Sequence, residues 1–174
     1  MLNEGWRDQY ERMLRAHRRL VIACSPLEDA GSDDARDTLY AFFEEAYKLK
    51  DWVKVDTATC HLGSAVERAV SRSVALAACA DIANGAKHLH LNGSPRSAGS
   101  RHAEISSQGV TIFAPPAKAT IHGDGTITHE VSEGGRTQHT WTVTADHGNV
   151  YDALVLANTA VADWDAWLNA RKLL

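Results

Sequence analysis

Asp81, Asn84 and His88 follow one another at spacings of three and four residues in the stretch CADIANGAKHLHL, Cys79–Leu91. On a helix those spacings stack the three side chains along one face. A carboxylate, an amide and an imidazole in one stripe can do proton chemistry. The imidazole takes and gives a proton near neutral pH, and the other two orient it or a ligand. Lys87 lies at the edge of the stripe, three residues from Asn84, and adds positive charge. Gly85 leaves room for a helix or a ligand to approach, at a cost of about 1 kcal/mol of helix stability relative to alanine. The same residues also have an architectural reading. Asn84 can tie two helices through its amide, and His88 can satisfy a buried carbonyl or a carboxylate such as Asp81 or Asp51.

A second polar set, Tyr47, Lys50 and Asp51, ends the preceding apolar stretch in AYKLKDW and forms a candidate binding group. Antiparallel packing of the two helices would carry Lys50 and Asp51 away from His88, unless the short segment between them offsets the register. His122, His129 and His139 could gather as zinc ligands on a hairpin, but two of them alternate with apolar core positions, which favours packing over a metal. HGDGT, residues 122–126, joins two strands. It lacks the helix N-terminus that a phosphate loop uses and reads as a turn.

The nine histidines and three cysteines form no other pattern. Cys24, Cys60 and Cys79 are an odd set without C-x-x-C spacing, which excludes a disulfide framework, and Cys24 and Cys79 read as small core residues. With 44% hydrophobic and 23% charged residues the composition is that of a folded globular chain. A net charge of −4 excludes a general polyanion binder, so contact with nucleic acid needs a local patch. No stretch approaches the length of a membrane span and no signal peptide opens the chain, which makes no membrane contact and a cytoplasmic location the expectation. No cofactor motif is present.

The elements that must position these residues follow from periodicity. Trp6, Tyr10, Met13, His17, Leu20 and Cys24 make one stripe of a first helix over residues 4–25. Leu39, Phe42, Ala46, Leu49 and Val53 make that of a second, over 35–55. AVERAV is a short helix, and a third long helix runs from Ser73 through the Asp81–His88 stretch. Residues 92–102, NGSPRSAGSRH, read as a loop. The period then changes to two. Turns at Gly123–Gly125 and Gly134–Arg136 predict an antiparallel β-meander that pairs Ile121 with Ile127, Ile127 with Val143, His129 with Trp141 and Val131 with His139. Its Ile121, Ile127, Val131, Trp141 and Val143 are expected to face the helices. A closing helix over 149–171, capped by Asn149, carries Val150, Leu154, Ala157, Val161, Trp164 and Leu168, with Trp167 at the stripe's edge for core packing or a dimer contact. The expectation is a single α+β domain, mainly α. It is an antiparallel helical bundle (residues 4–91 and 149–172) with a small antiparallel β-meander inserted at about 107–146.

FFEEAYKLKDW, CADIANGAKHLHL and the terminal YDALVLANTAVADWDAWL together resemble a group of uncharacterised bacterial and phage proteins related to the HEPN superfamily. The resemblance implies an up-down bundle, a homodimer, and association with RNA or a nucleotide in phage–host conflict. It also implies a ribonuclease in those members that carry an Arg-x4–6-His motif. Asn84 and His88 match that motif's polar residue and histidine, but Ala83 stands where the arginine belongs. The spacing recurs at Arg12–His17 and Arg96–His102, as a short pattern does by chance. Three functions follow as expectations. One is a HEPN-like module without a complete nuclease motif that binds RNA, a nucleotide or a protein. Another is a metal-independent ribonuclease using His88, Asn84 and Lys87. The last is an interaction protein that meets its partner through the β-meander.

Overall fold

The computed structural model describes residues 4–26, 31–88, 93–114, 117–131 and 135–174. Its helices are α1 (Trp6–Ala23), α2 (Ser32–Val55), α3 (Gly63–Arg72), α4 (Val74–Lys87) and α5 (Ala153–Asn169). Five strands, β1 (Glu104–Phe113), β2 (Ala117–Ile121), β3 (Ile127–Val131), β4 (Arg136–Ala145) and β5 (Asn149–Asp152), lie between α4 and α5. The fold is therefore α+β and mainly helical, with small antiparallel sheets.

The apolar stripes meet in one core. Met13 and Leu20 of α1, Leu39, Phe42, Phe43, Leu49 and Val53 of α2, and Trp164 and Leu168 of α5 are completely buried. α1 and α5 run antiparallel. The Tyr10 hydroxyl donates to Asp165 Oδ1 at 2.8 Å, and two turns on His17 Nε2 meets Asn158 Oδ1 at 2.7 Å. α2 is fixed to α5 by the Trp164 indole, which donates to the Ala46 carbonyl at 3.0 Å. Burial pushes the thiols of Cys24 and Cys79 up, that of Cys24 to about 11, so both are inert packing groups.

α4 is the most enclosed helix. Its residues Ala75 through Ala83 are all buried, because six of those nine are alanine or cysteine and small side chains let neighbours close in from every side. Ser73 caps it, accepting from the Leu76 N–H at 3.0 Å and donating to Asp163 Oδ2 at 2.5 Å. At Asn84 the helix emerges from the core, and Gly85, Ala86, Lys87 and His88 are exposed.

The β region departs from the expected meander. β4 pairs with β1 from Glu104–Thr144 to Phe113–Arg136, and with β5 on its other side, in the order β1-β4-β5. β2 and β3 form a separate two-stranded hairpin. Its register is the expected one, with Ile121 opposite Ile127, but both point into solvent, 75% and 54% exposed. Trp141 and Val143 do face the helices, at 2% and 0% exposure. His139 lies opposite Val110, not Val131, and His129 lies opposite Ala119, not Trp141. The expected turn at residues 134–136 falls partly outside the described residues, and so does the side chain of Val131. The long β1–β4 pair prevails because it gives the apolar face of β4 a ten-residue partner carrying Ile105 and Val110, and closing a longer loop adds little entropic cost.

The last helix also starts later than expected. Asn149 and Val150 belong to β5, Val150 is exposed, and Asp152 is the cap, accepting from the Val155 N–H at 2.9 Å. Between β4 and β5, Asp146, His147 and Gly148 all take positive φ. His147 donates its backbone N–H to Ala98 at 2.8 Å, and Gly99 (φ 110) is needed there because a Cβ would sit 3.2 Å from the His147 backbone.

Candidate functional site

The polar stretch at the end of α4 splits into two roles. Asp81 is 1% exposed and organises the loop that follows. Its Oδ1 accepts from the Arg96 N–H at 2.7 Å, and its Oδ2 from the N–H groups of Ser97 at 3.0 Å and Ala103 at 3.1 Å. His102 Nδ1 lies 3.3 Å from Oδ1, and His102 Nε2 lies 3.0 Å from the Gly93 carbonyl. Burial pushes the Asp81 carboxyl up, but the three backbone donors outweigh it and hold the group below the usual carboxylate range. One buried carboxylate thus replaces the backbone partners that the irregular segment 93–103 would otherwise lack.

That segment and the exposed end of α4 enclose an open groove of about 580 Å³. Tyr40 of α2 forms one wall, Gly85 and His88 a second, and Arg101, His102 and Glu104 the third. His88 is the C-cap of α4 and has left the helix (φ −128, ψ 126), so it does not continue the expected Asp81–Asn84 stripe. Its ring, with the side chains of Arg101 and Glu104, is exposed. Arg101 makes no ion pair among the described residues. Both ring nitrogens of His102 are engaged, which leaves His88 as the open imidazole of the groove. Asn84 is half-buried, and Lys87 is exposed beside His88. A hollow of about 210 Å³ continues past Tyr40 along β1 to Arg36, Gln108 and Trp141.

The second predicted set has a different fate. Lys50 is 5% exposed, with its ammonium 3.0 Å from the Tyr47 hydroxyl, 3.1 Å from Asp51 and 3.5 Å from Glu67. Glu67 also accepts from Lys54 at 2.6 Å and from Arg96 at 2.9 Å. Partial burial pushes the Glu67 carboxyl up, but the hydrogen bonds from Lys54 and Arg96 and the charge of Lys50 bring it down to about 2. Burial likewise lowers the Lys50 ammonium, and Tyr47 and Asp51 more than restore it, leaving it raised. This closed network joins α2, α3 and the loop through Arg96. Tyr47 lies two helical turns from Tyr40, so the network does not line the groove.

Arg101, Glu104 and Tyr40 escaped the sequence reading. Arg101 and Glu104 follow a Ser/Gly-rich run that looks like an unstructured linker, and only the burial of Asp81 reveals why it is ordered. Of the three hairpin histidines, His139 is buried and stacked on Trp141 with ring centroids 5.7 Å apart. His129 and His139 lie in separate sheets, and His122 Nε2 meets Thr128 Oγ1 at 2.9 Å. Among the described residues no group of three His, Cys, Asp or Glu is placed to hold a metal ion, and no helix is long and apolar enough to cross a membrane. Trp167 is 8% exposed and packs edge-on against Trp164, with the Arg171 guanidinium 4.0 Å from its ring. In comparisons with known proteins, no family model matches this chain, and neither does any curated protein or solved structure.

Proposed function

From this geometry we propose that the chain is a HEPN-like helical-bundle protein without a complete nuclease motif, which binds a phosphate-bearing ligand, a nucleotide or a short run of RNA, in the groove at the end of α4. The observation that carries the reading is that the exposed guanidinium of Arg101 and the exposed imidazole of His88 line one groove of about 580 Å³. A guanidinium fork matches two phosphate oxygens, and the size is that of a small-ligand site. Tyr40 offers a flat side chain on which a base can stack. Arg101 arrives from the loop, outside the helical segment in which the HEPN motif carries its arginine.

Fluorescence anisotropy with a labelled single-stranded RNA oligonucleotide, and competition by adenosine monophosphate, tests this. Wild-type protein binds, and Arg101→Ala binds about tenfold more weakly or worse. Equal binding by Arg101→Ala removes the proposal.

Glu104 in the same groove favours a second reading, metal-independent RNA cleavage. In that reaction the Glu104 carboxylate takes the proton of a 2′-hydroxyl, whose oxygen attacks phosphorus. The protonated His88 gives its proton to the departing 5′-oxygen, and Arg101 balances the charge of the five-coordinate phosphorus. Formation of a 2′,3′-cyclic phosphate in the presence of a chelator, abolished in His88→Ala, is the expected signature. A labelled RNA that stays intact excludes it and leaves the binding reading in place.

A further inference from the structure

Four residues of the groove, Ser100, Arg101, His102 and Glu104, also line a second cavity of about 330 Å³. The rest of that cavity comes from the end of β4, with Thr144, and from the turn that carries His147. No other residue lines both, so the two hollows adjoin along one strip that contains Arg101. The backbone around this strip is tied down on both sides. Asp81 accepts from the N–H groups of Arg96, Ser97 and Ala103, and the Ala98 carbonyl accepts from the His147 N–H. The turn itself is costly. Asp146 and His147 take φ 43 and 64, a region that residues other than glycine avoid. Hydrogen bonds hold it there: the Asn149 amide donates to the Asp146 carbonyl at 2.8 Å, and the Tyr151 hydroxyl to Asp146 Oδ2 at 3.2 Å. Core packing does not account for a histidine in this place, because its side chain is exposed. What the turn achieves is to set an imidazole on the second cavity. Among the described residues, the His147 ring and the hydroxyls of Ser100 and Thr144 make no side-chain hydrogen bond, so the cavity holds three polar groups open to a ligand.

Building on the phosphate-binding reading of the groove, we propose that its ligand is a single-stranded RNA segment of at least two nucleotides that spans both cavities. A phosphodiester lies at Arg101, one nucleoside lies against Tyr40, and the next occupies the second cavity among Ser100, Thr144 and His147. A diester suits the strip. Its two free oxygens still meet a guanidinium fork, and its two ester oxygens leave in different directions, one toward each hollow. A monophosphate has a single such ester and leaves the second cavity empty. Glu104 on the same strip disfavours a chain of adjoining phosphates, whose charges it repels, whereas the phosphates of RNA are a nucleoside apart. The volume of about 330 Å³ stands at the small end of ligand pockets, which suits one nucleoside rather than a longer run. Bases splayed to either side of a backbone contact are available in a single strand and not in a duplex.

Isothermal titration calorimetry on the full-length protein with adenosine monophosphate, adenosine triphosphate and the dinucleotide adenylyl-adenosine is the test. The wild type is expected to bind the dinucleotide about tenfold more tightly than the monophosphate, although the dinucleotide carries less charge, and to bind the triphosphate no more tightly than the dinucleotide. His147→Gly removes the imidazole and keeps the turn, since glycine takes that φ freely. It is expected to cut the ratio of dinucleotide to monophosphate affinity about fivefold. Equal affinity for dinucleotide and monophosphate in the wild type overturns the proposal and leaves a mononucleotide site in the groove. Tighter binding of the triphosphate than of the dinucleotide, or an unchanged ratio in His147→Gly, overturns it equally. If none of the three binds, the phosphate-binding reading of the groove falls and this proposal falls with it.

Discussion

Two clusters of charge and polarity lie along the loop that follows α4, and they differ in whether their partners are internal. Around Glu67, every cation has an acid of the same chain within reach: Lys50, Lys54 and Arg96 converge on one carboxylate. Around the groove, the exposed Arg101, His88 and Glu104 face open space. Both use the same residue types. The first is a clamp, because its charges are spent on one another and on Tyr47. The second is left with unspent binding capacity, because Asp81 holds the backbone beneath it and releases the side chains above. Asp81 thus separates the two roles within one loop: its acceptors bind the backbone of Arg96, whose side chain joins the clamp, while Arg101 five residues later is free to face the groove.

The comparison breaks most severely at Asp81. Asp81→Ala leaves the buried N–H groups of Ser97 and Ala103 and the half-buried one of Arg96 without acceptors, and a loss of about 3 kcal/mol in urea unfolding is expected, together with loss of ligand binding as the groove wall loosens. Unchanged stability would show that the loop holds itself. Glu67→Gln attacks the clamp instead. It removes the charge that Lys50, Lys54 and Arg96 share, and a cost of about 1 to 2 kcal/mol is expected with the groove's affinity largely kept. A parallel loss of affinity would mean that the two clusters are one unit.

Acid sharpens the same distinction. The folded-state values of Glu67 and Asp81 lie below those of the unfolded chain, so both contribute stability above the ordinary carboxylate range. That contribution falls as pH drops through the usual carboxylate values toward about 2, where Glu67 titrates in the folded protein. Thermal midpoints measured from pH 6 to pH 2 should decline steadily in the wild type, and less steeply in Glu67→Gln. The smallest structural effects belong to the groove: Arg101→Ala and His88→Ala remove exposed side chains and should change stability by no more than about 0.5 kcal/mol. A large loss on either change would move that residue from the groove to the clamp.

The amino-acid sequence on its own determined the helical frame. Met13, Leu20, Leu39, Phe42, Leu49, Trp164 and Leu168 are buried as their spacing requires, because one stripe of a helix must leave water whatever it packs against. The pairing of Ile121 with Ile127 was equally legible, since a short turn leaves the flanking strands few registers. Tertiary structure alone decided the rest. Whether β4 joins β3 or β1 depends on how much apolar surface each distant partner covers, and local pattern does not carry that sum. Whether a polar residue is spent or open depends on what the fold brings to it. Asp81 and His88 share one short stretch, and only the loop's return past the end of α4 makes the first a buried anchor and leaves the second at the rim of a groove.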